Sequence, residues 1–257
     1  MRQAASVFIM DIAHSSSLGN WNEVTEHLQE WEKVIQSWCG NVVKAKISHR
    51  RGDEILFVAE HYMTAFTIAV NMALQWKFVA QQPYFGISYG FIEENLDDLD
   101  IEIWNHPLIK QARLQSEKIK TLKKRETSIM FSDHLGTKRI ITTPEILNLL
   151  AETLWKLRQK QSENQKIVCS LSYIYKEQKK IASLLHKTPS TISIQYSKGE
   201  SELFRRSLLT MIKMLCSEES GENTDHALII LMHQLDDSIR TFMENHLGFF
   251  YPDLGKV

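Results

Sequence analysis

The chain has 257 residues, of which 43 % are hydrophobic and 24 % are charged. These proportions are those of an ordinary globular protein, and they exclude a collagen, a coiled coil and a wholly disordered chain. The sequence has no run of about 18 apolar residues, and its first residues lack the continuous apolar core of a signal peptide, so we expect a cytoplasmic protein with no membrane partner.

Charge is unevenly distributed along the sequence, although the net charge is only −1. Positions 156–213 carry 12 basic and 4 acidic residues, whereas positions 218–257 carry 2 basic and 8 acidic residues. Attraction to a polyanion depends on such local fields more than on the total charge. Nucleic acid is therefore a candidate partner of the basic segment.

The three cysteines, Cys39, Cys169 and Cys216, are odd in number and far apart. This pattern argues against a disulfide framework and against a zinc ribbon. We expect them to be small buried hydrophobic residues.

The first half of the chain alternates between strand and helix patterns. Short β-prone runs predict strands, and apolar residues at helical spacing predict helices, the first of which ends at Gly40. The order β-α-β-β-α-β, followed by α-β, predicts an α+β protein with a ferredoxin-like (βαββαβ) domain, whose antiparallel sheet is covered by helices on one face. The predicted elements are strand 4–12, helix 21–38, strands 42–48 and 55–59 joined by a turn at 49–53, helix 62–79, strand 84–92, helix 108–122 and strand 127–131.

From Thr143 onward the pattern is helical, with breaks near Ser162, Thr188 and Ser220. We therefore divide the chain into a sheet domain (1–140), a connecting helix (141–160), an all-α helix-turn-helix domain (161–217) and a helical tail (218–257). The tail has one apolar helix face, which predicts pairing with a second copy in a homodimer. That face comprises Ala227, Ile230, Leu231, Leu235, Ile239 and Phe242.

Two carboxylates are predicted to meet at one end of the sheet. Asp11 ends the first strand, Asp53 lies in the hairpin turn, and these two parts of a βαββ unit are neighbours. Paired carboxylates at a sheet edge suit Mg²⁺ or Mn²⁺ bound with a nucleotide, because such an ion completes its shell with phosphates and water. The loop Ser15, Ser16 and Ser17 would offer backbone N–H groups to the phosphates. The alternative is that both Asp residues are ordinary turn and capping residues.

Four motifs in order resemble class III nucleotidyl cyclase and GGDEF-type domains over residues 4–132. They are Phe8-Ile9-Met10-Asp11-Ile12, Arg-Gly-Asp-Glu at 51–54, Gly86-Ile87-Ser88-Tyr89-Gly90 and the segment 104–114. The resemblance implies that Asp11 and Asp53 bind two metal ions.

The same resemblance shows departures from an active cyclase. His49 stands where adenylyl cyclases place a purine-selecting Lys, and Ile109 replaces the Asn of an Asn-x-x-x-Arg pair, whereas Arg113 is kept. Loss of one positioned donor weakens stabilisation of the transition state. We therefore expect a nucleotide-binding or sensing domain, with His49 at the nucleotide and Arg113 catalytic only if the domain is an enzyme.

Three helical stretches at 166–175, 177–186 and 191–197 have the outline of a helix-turn-helix. A small Ala182 stands where two helices approach closely, and hydroxyl residues begin the last helix. Such residues reach phosphates or base edges, although a purely structural three-helix bundle stays the alternative. The predicted DNA-binding residues are Ser190, Thr191, Ser193 and Gln195 on the recognition helix and Lys179, Lys180, Lys187 and Lys198 at the phosphates.

Taken together, the two parts resemble the SatD-like family of bacterial proteins up to about residue 215. That resemblance implies the same architecture without a defined activity. Our first hypothesis is a DNA-binding transcription regulator whose sheet domain binds a nucleoside triphosphate or cyclic nucleotide with Mg²⁺ or Mn²⁺. The alternatives are an active nucleotidyl cyclase or related phosphoryl-transfer enzyme, and a catalytically inert scaffold.

Overall fold

The computed structural model describes residues 2–13, 19–50, 52–134, 141–221, 226–252 and 254. Within these ranges the chain is α+β, with a five-stranded mixed sheet and ten α-helices, so the predicted α+β class is confirmed. The strands are β1 (Gln3–Ile12), β2 (Ala45–His49), β3 (Ile55–Glu60), β4 (Pro83–Ile92) and β5 (Ile129–Asp133). The helices are α1 (Trp21–Cys39), α2 (Tyr62–Leu74), α3 (Pro107–Thr121), α4 (Thr143–Lys160), α5 (Glu163–Ile174), α6 (Gln178–Leu184), α7 (Pro189–Lys198), α8 (Ser201–Ser220), α9 (His226–Asn245) and α10 (Leu247–Phe250).

The strand order across the sheet is β2-β3-β1-β4-β5. The first four strands are antiparallel to their neighbours, and β5 runs parallel to β4. At the centre of the sheet, Val7 of β1 pairs with Val58 of β3 on one side and with Ser88 of β4 on the other. β1 therefore has a hydrogen-bonded strand on each side.

Helices cover both faces of this sheet, whereas the sequence pattern predicted an antiparallel sheet covered on one face. Phe8 and Met10 of β1 belong to the core beneath α1 and α2, and Val7 and Ile9 belong to a second core beneath α3. The difference arises from β5, because parallel neighbours such as β4 and β5 need a crossover connection. Helix α3 makes that crossover, and it lies on the face that α1 and α2 leave open.

Small residues on one face of β4 let α3 approach the sheet. Gly86, Ser88 and Gly90 alternate with the large residues of the opposite face, as expected for a strand of period two. A Cβ atom at Gly86 would lie 1.9 Å from the carbonyl oxygen of Ala112 and 2.3 Å from the backbone nitrogen of Ser116. The backbone of α3 therefore rests directly on Gly86.

Gly86→Ala should destabilise the protein, because the added methyl group forces α3 away from β4. Overpacking of this kind costs about 1–3 kcal/mol, and here the obstacle is backbone rather than a movable side chain. Urea unfolding measures the change. Gly248→Ala is the matched control, since a Cβ atom there meets nothing within 4 Å. Equal unfolding midpoints for the two variants would contradict the close approach.

Helix α2 ends at Leu74, five residues before the end predicted from the apolar spacing. The apolar residues that follow pack in another way. The indole N–H of Trp76 donates to the backbone oxygen of Gln81 at 2.7 Å, and its ring lies against His27 and Phe78. Trp76 and Phe78 therefore belong to an aromatic cluster with His27, although their spacing also fits a longer helix.

Helices α4–α10, which we call the C-terminal helices, share one continuous hydrophobic core with the sheet, α1 and α2, which we call the sheet unit. Asn148 of α4 accepts from the backbone N–H of Phe131 at 2.7 Å and donates to its carbonyl at 3.0 Å, which satisfies the open edge of β5. Glu219 of α8 accepts from the backbone N–H of Tyr62 at 2.7 Å, at the first turn of α2. These contacts join α4 and α8 to the sheet and to α2.

The helical tail also packs within its own chain. Leu235 and Ile239 of α9 are fully buried, and Ser238 donates to the backbone oxygen of Trp38 in α1 at 2.8 Å. Ile230 stays 57 % exposed. Much of the apolar face that predicts a homodimer is therefore occupied by α1 and α5 of the same chain, and the homodimer itself stays a prediction.

Cys39, Cys169 and Cys216 are buried free thiols, which confirms that they serve as small core residues. Of the helices that the structure describes, none combines the length and the apolar character needed to cross a bilayer.

Candidate functional site

Asp11 and Asp53 lie at the same end of the sheet, as the sequence predicts. Met10 of β1 pairs with Ile55 of β3, so one further step along each strand brings Asp11 opposite Glu54. Asp53 follows in the hairpin turn. Asp11, Asp53 and Glu54 are therefore all at the end of the sheet where β1 ends and β3 begins, and we call this place the sheet-edge site.

The environment of Asp11 disfavours its charge. Burial raises the pKa of this carboxyl group to about 6, and the charges of Asp53 and Glu54 act in the same direction. The charge of Lys120 opposes the shift, as does a hydrogen bond that the Ser116 hydroxyl donates to Asp11 Oδ2 at 3.4 Å. A cation placed between these carboxylates would relieve their repulsion.

Arg113 reaches the site from α3, but it is already paired. Its Nη2 donates to Glu54 Oε1 at 2.8 Å, and Arg50 approaches the same oxygen at 3.4 Å. Arg113 is 40 % exposed, and Glu54 is 20 % exposed. Ile109, one turn earlier on α3, is buried in the core beneath that helix, so it offers the site no hydrogen-bond donor.

Sequence reasoning missed Tyr84, which pairs with Asp11 across β1 and β4. Its hydroxyl is buried without a hydrogen-bond partner among the described residues. Burial and the charges of Asp11 and Asp53 raise its pKa, so the phenol stays neutral and keeps a proton to donate. The sequence carries no signal for this residue, because its neighbours come from other strands.

Ser116 and Lys120 were also missed, although the sequence contains a usable signal. They follow Arg113 by three and seven residues, and residues at this spacing share one helix face. Once Arg113 is assigned to the site, helical spacing predicts that Ser116 and Lys120 lie on the same face of α3.

The remaining predicted nucleotide contacts are less directly placed. Ser15, Ser16 and Ser17 lie outside the described residues. His49 ends β2 and pairs with Ile55, which places it on the α1 and α2 face of the sheet, and its Nε2 lies 3.2 Å from the backbone oxygen of Gly52. His49 therefore lies at the same end of the sheet as Asp11 but on the opposite face.

Within the described residues, no three His, Cys, Asp or Glu side chains converge as a ready-made metal site. The paired carboxylates fit an ion that the protein holds with one or two ligands and the substrate phosphates complete.

Asp11→Asn should stabilise the metal-free protein at neutral pH. The unfolded carboxyl ionises near pH 3.8 and the folded one near 6, so ionisation lowers stability as the pH rises through this window, and the full cost is present at neutral pH. After screening by solvent we expect about 1 kcal/mol, or about 2–4 °C in Tm, at about pH 7.5. The gain should disappear at about pH 4.

Thermal unfolding in EDTA at both pH values measures this effect. Glu117→Gln is the control, because Glu117 lies exposed on the same helix α3. If Asp11→Asn and the wild type have equal Tm values at neutral pH, ionisation of Asp11 does not destabilise the folded protein.

The second predicted site is the helix-turn-helix of α5, α6 and α7. Val168, Ile181 and Ile192, one from each helix, are buried together, and Ala182 is 3 % exposed where α6 meets α7. His186 takes a left-handed conformation (φ 49°) after α6. The N–H groups of His186 and Lys187 donate to Ser183 and Ala182, a helix ending that glycine usually provides.

Helix α7 begins with a side-chain cap. The Thr188 hydroxyl accepts from the backbone N–H of Thr191 at 3.2 Å. Ser190 and Ser193 are exposed, and Thr191 and Gln195 are half-buried. All four predicted base-reading side chains therefore reach the surface.

The four predicted phosphate-binding lysines are exposed, and they differ in their partners. Lys180 donates to Glu244 of α9 at 2.5 Å and lies over the ring of Tyr175. Lys179, Lys187 and Lys198 form no ion pair with any carboxylate that the structure describes. Three of the four are thus available to an anion.

Comparison with models of known protein families gives no match to this chain. Comparison with curated proteins likewise finds no relative. The function therefore has to be argued from the two sites themselves.

Proposed function

We propose that this chain is a DNA-binding regulator whose sheet domain binds a nucleotide with a divalent cation. The observation that carries the proposal is α7, a capped helix with an exposed outer face. At each of its ends lies a lysine that forms no ion pair with a described carboxylate. Lys187 precedes this helix and Lys198 ends it. Such a regulator would act in the cytoplasm, where DNA and nucleotides are found.

Further support comes from the arrangement of the first four strands. The antiparallel order β2-β3-β1-β4, with α1 and α2 on one face, supports a ferredoxin-like domain, to which α3 and β5 would add a crossover. This arrangement brings the end of β1 beside the turn between β2 and β3. It is the placement that a metal–nucleotide site of the cyclase type would need.

The charge of the helix-turn-helix agrees with DNA as its partner. Helix α7 contains no acidic residue, and its first turn offers the Ser190 and Thr191 hydroxyls. Lysines that already lack a carboxylate partner bind phosphate without breaking an existing ion pair. Lys180 has to give up its ion pair with Glu244 before it binds phosphate, so we expect it to contribute least.

Binding to duplex DNA should weaken steeply with salt. Each neutralised phosphate contributes about 0.9 log unit of affinity per log unit of salt. Replacing Lys179, Lys187 and Lys198 together with Ala should lower this slope by about three such contributions, whereas Thr191→Ala or Gln195→Ala should relax sequence preference at nearly the same slope. Fluorescence anisotropy with labelled duplexes over a salt series measures both effects.

Lys213→Ala is the matched control, because this lysine lies exposed more than halfway along α8. It should leave the slope unchanged. If the folded wild type retains no duplex at low salt, the helix-turn-helix is a packing motif, and the scaffold hypothesis replaces the regulator.

The sheet-edge site supports nucleotide binding through residues of both signs. Asp11 and Asp53 would hold the cation, which when bound supplies charge neutralisation for the phosphates. Lys120 and Arg113 lie on the adjacent face of α3, where they would contact the phosphate oxygens. The neutral Tyr84 hydroxyl would donate one more hydrogen bond.

Two features favour binding over turnover. Arg113 is held by the half-buried Glu54, so it has to leave this partner before it stabilises a transition state. Ile109 places an apolar side chain in the core where an active cyclase has an Asn donor. Robust metal-dependent formation of cyclic nucleotide, lost in Arg113→Ala, would favour the enzyme alternative instead.

ATP or GTP with Mn²⁺ should raise the Tm of the wild type, because a ligand of the native state adds RT ln(1 + [L]/Kd), or about 2.7 kcal/mol at a free ligand concentration 100 times Kd. Asp53→Asn should lose this increase, and so should omission of the metal. Differential scanning fluorimetry, with isothermal titration as a second measurement, tests the site.

Asp98→Asn is the control, since Asp98 lies near Lys44, which precedes β2 at the end opposite to the hairpin turn. It should bind like the wild type. An unchanged shift in Asp53→Asn would remove this residue from the site.

A further inference from the structure

A cavity of about 340 Å³ lies between the sheet unit and the C-terminal helices. Its walls come from α2, α4, α5 and α8, with residues from the first positions of β4 and β5 and from the chain after α10. The volume falls within the range of about 300–1,000 Å³ that small-molecule sites occupy. Exposed Val79 and Gln159 are among its lining residues, so the cavity reaches the surface.

Most of the wall is apolar and aromatic. Val70 of α2, Leu154 and Trp155 of α4 and Phe204 of α8 supply it, together with Phe250. An apolar wall interrupted by a few polar groups is the usual composition of a ligand site, because the apolar part provides affinity and the polar groups fix orientation.

The main polar group is the guanidinium of Arg158. It donates to Gln161 Oε1 at 2.8 Å, to the backbone oxygen of Lys166 at 3.1 Å and to the Ser170 hydroxyl at 3.1 Å. These acceptors are all uncharged, and none of the described carboxylates lies within 4 Å of the guanidinium. Burial lowers its pKa. Arg158 is half-buried, and a partly desolvated cation with no ion-pair partner among the described residues is costly, so an anion in the cavity would offset that cost.

Two of the five N–H donors of this guanidinium have no acceptor among the described residues. A carboxylate accepts two such donors in a bidentate arrangement.

Other buried polar atoms face the same cavity without hydrogen bonds. The Tyr251 hydroxyl lies near Gln75 and Ser170, but it forms no hydrogen bond of ordinary length and angle within the described chain. Gln75 Oε1 also has no partner there. Buried polar groups in folded proteins are nearly always paired, so the Tyr251 hydroxyl and Gln75 Oε1 are available to a polar group of a ligand in the cavity.

The charge of the lining selects the sign of the ligand. Lys77, Arg158 and Lys166 line the cavity against a single acid, Glu163. Glu163 is bonded to Lys166 at 2.7 Å, and Lys77 lies 4.0 Å from Glu23 outside the cavity. Arg158 is therefore the lining cation without an ion pair to a described residue.

We propose that this cavity binds a small monocarboxylate with an apolar body. The carboxylate pairs with Arg158, the Tyr251 hydroxyl donates to it, and the apolar body lies between Trp155 and Phe204. The cavity shares no residue with the sheet-edge carboxylates or with α7, so ligand binding in it can be tested independently of the proposed function.

Decanoate and decanol are the test probes, because they differ chiefly in the carboxylate. Decanoate should raise the Tm of the full-length protein in a concentration-dependent manner, and isothermal titration should give saturable binding. Decanol should bind at least about tenfold more weakly, as should decanoate to Arg158→Gln, since a hydrogen bond to a charged group accounts for about that factor.

Two variants guard the interpretation. Arg206→Gln makes the same change at an exposed arginine of α8 that does not line the cavity, and it should bind decanoate like the wild type. Ala73→Phe leaves Arg158 in place and fills the space from α2, so it should abolish binding in a folded protein even if Arg158→Gln fails to fold.

The proposal is overturned if decanoate gives neither a shift nor heat with the wild type. It is also overturned if decanol binds as well as decanoate, or if Ala73→Phe retains full affinity. Retained affinity in a folded Arg158→Gln would equally remove the arginine from the site.

Discussion

Burial of β1 on both faces is the constraint on which the remaining structure depends. Its side chains alternate between the core beneath α1 and α2 and the core beneath α3, so the strand is apolar at nearly every position from Ala4 to Ile12. A strand of this kind has to lie in the middle of a sheet and needs helices on both sides. Asp11 is the charged residue near the end of this apolar strand. Its partial burial next to the core raises its pKa, and its position places it at the end of the sheet.

The packing that buries β1 also assembles the sheet-edge site. Gly86 lets the backbone of α3 rest on β4, and this close approach brings Ser116 within 3.4 Å of Asp11. The same helix carries Arg113 to Glu54. Core packing and site geometry therefore both depend on the position of α3, and a shift of this helix would change both.

The C-terminal helices extend the same core rather than form an isolated unit. Glu219 of α8 binds the first turn of α2, and α9 covers α1. Helices α5 and α7 pack on α8, and α5 also packs on α9, so these two helices connect α5–α7 to the sheet and its helices. The outer side of the helix-turn-helix keeps α7 and the lysines in solvent. The cavity around Arg158 lies where α2 of the first half of the chain faces α4, α5 and α8 of the second half. A ligand there would contact α2 and α5 together, and so both halves of the chain.

The sequence by itself determined the elements whose signals are local. The apolar run of β1, the spacing of Trp31 and Trp38 before Gly40, and the Thr143–Lys160 helix with its Pro144 are all present as predicted, because propensity, periodicity and caps act within a few residues. The placement of Asp11 near Asp53 was also predictable, since strand neighbours in a βαββ unit follow from the order of elements.

Only the tertiary structure decided the features that depend on residues distant in sequence. The pairing of Arg113 with Glu54, the placement of Tyr84 opposite Asp11 and the Glu244 partner of Lys180 each require a partner from another element. The early end of α2 goes with the packing of Trp76 against His27 of α1. The tail is a further example, because its apolar face predicted a second copy, whereas in the structure it packs largely on α1 of its own chain. Helical periodicity shows that a face is apolar, whereas the residue that covers it is fixed by packing in three dimensions.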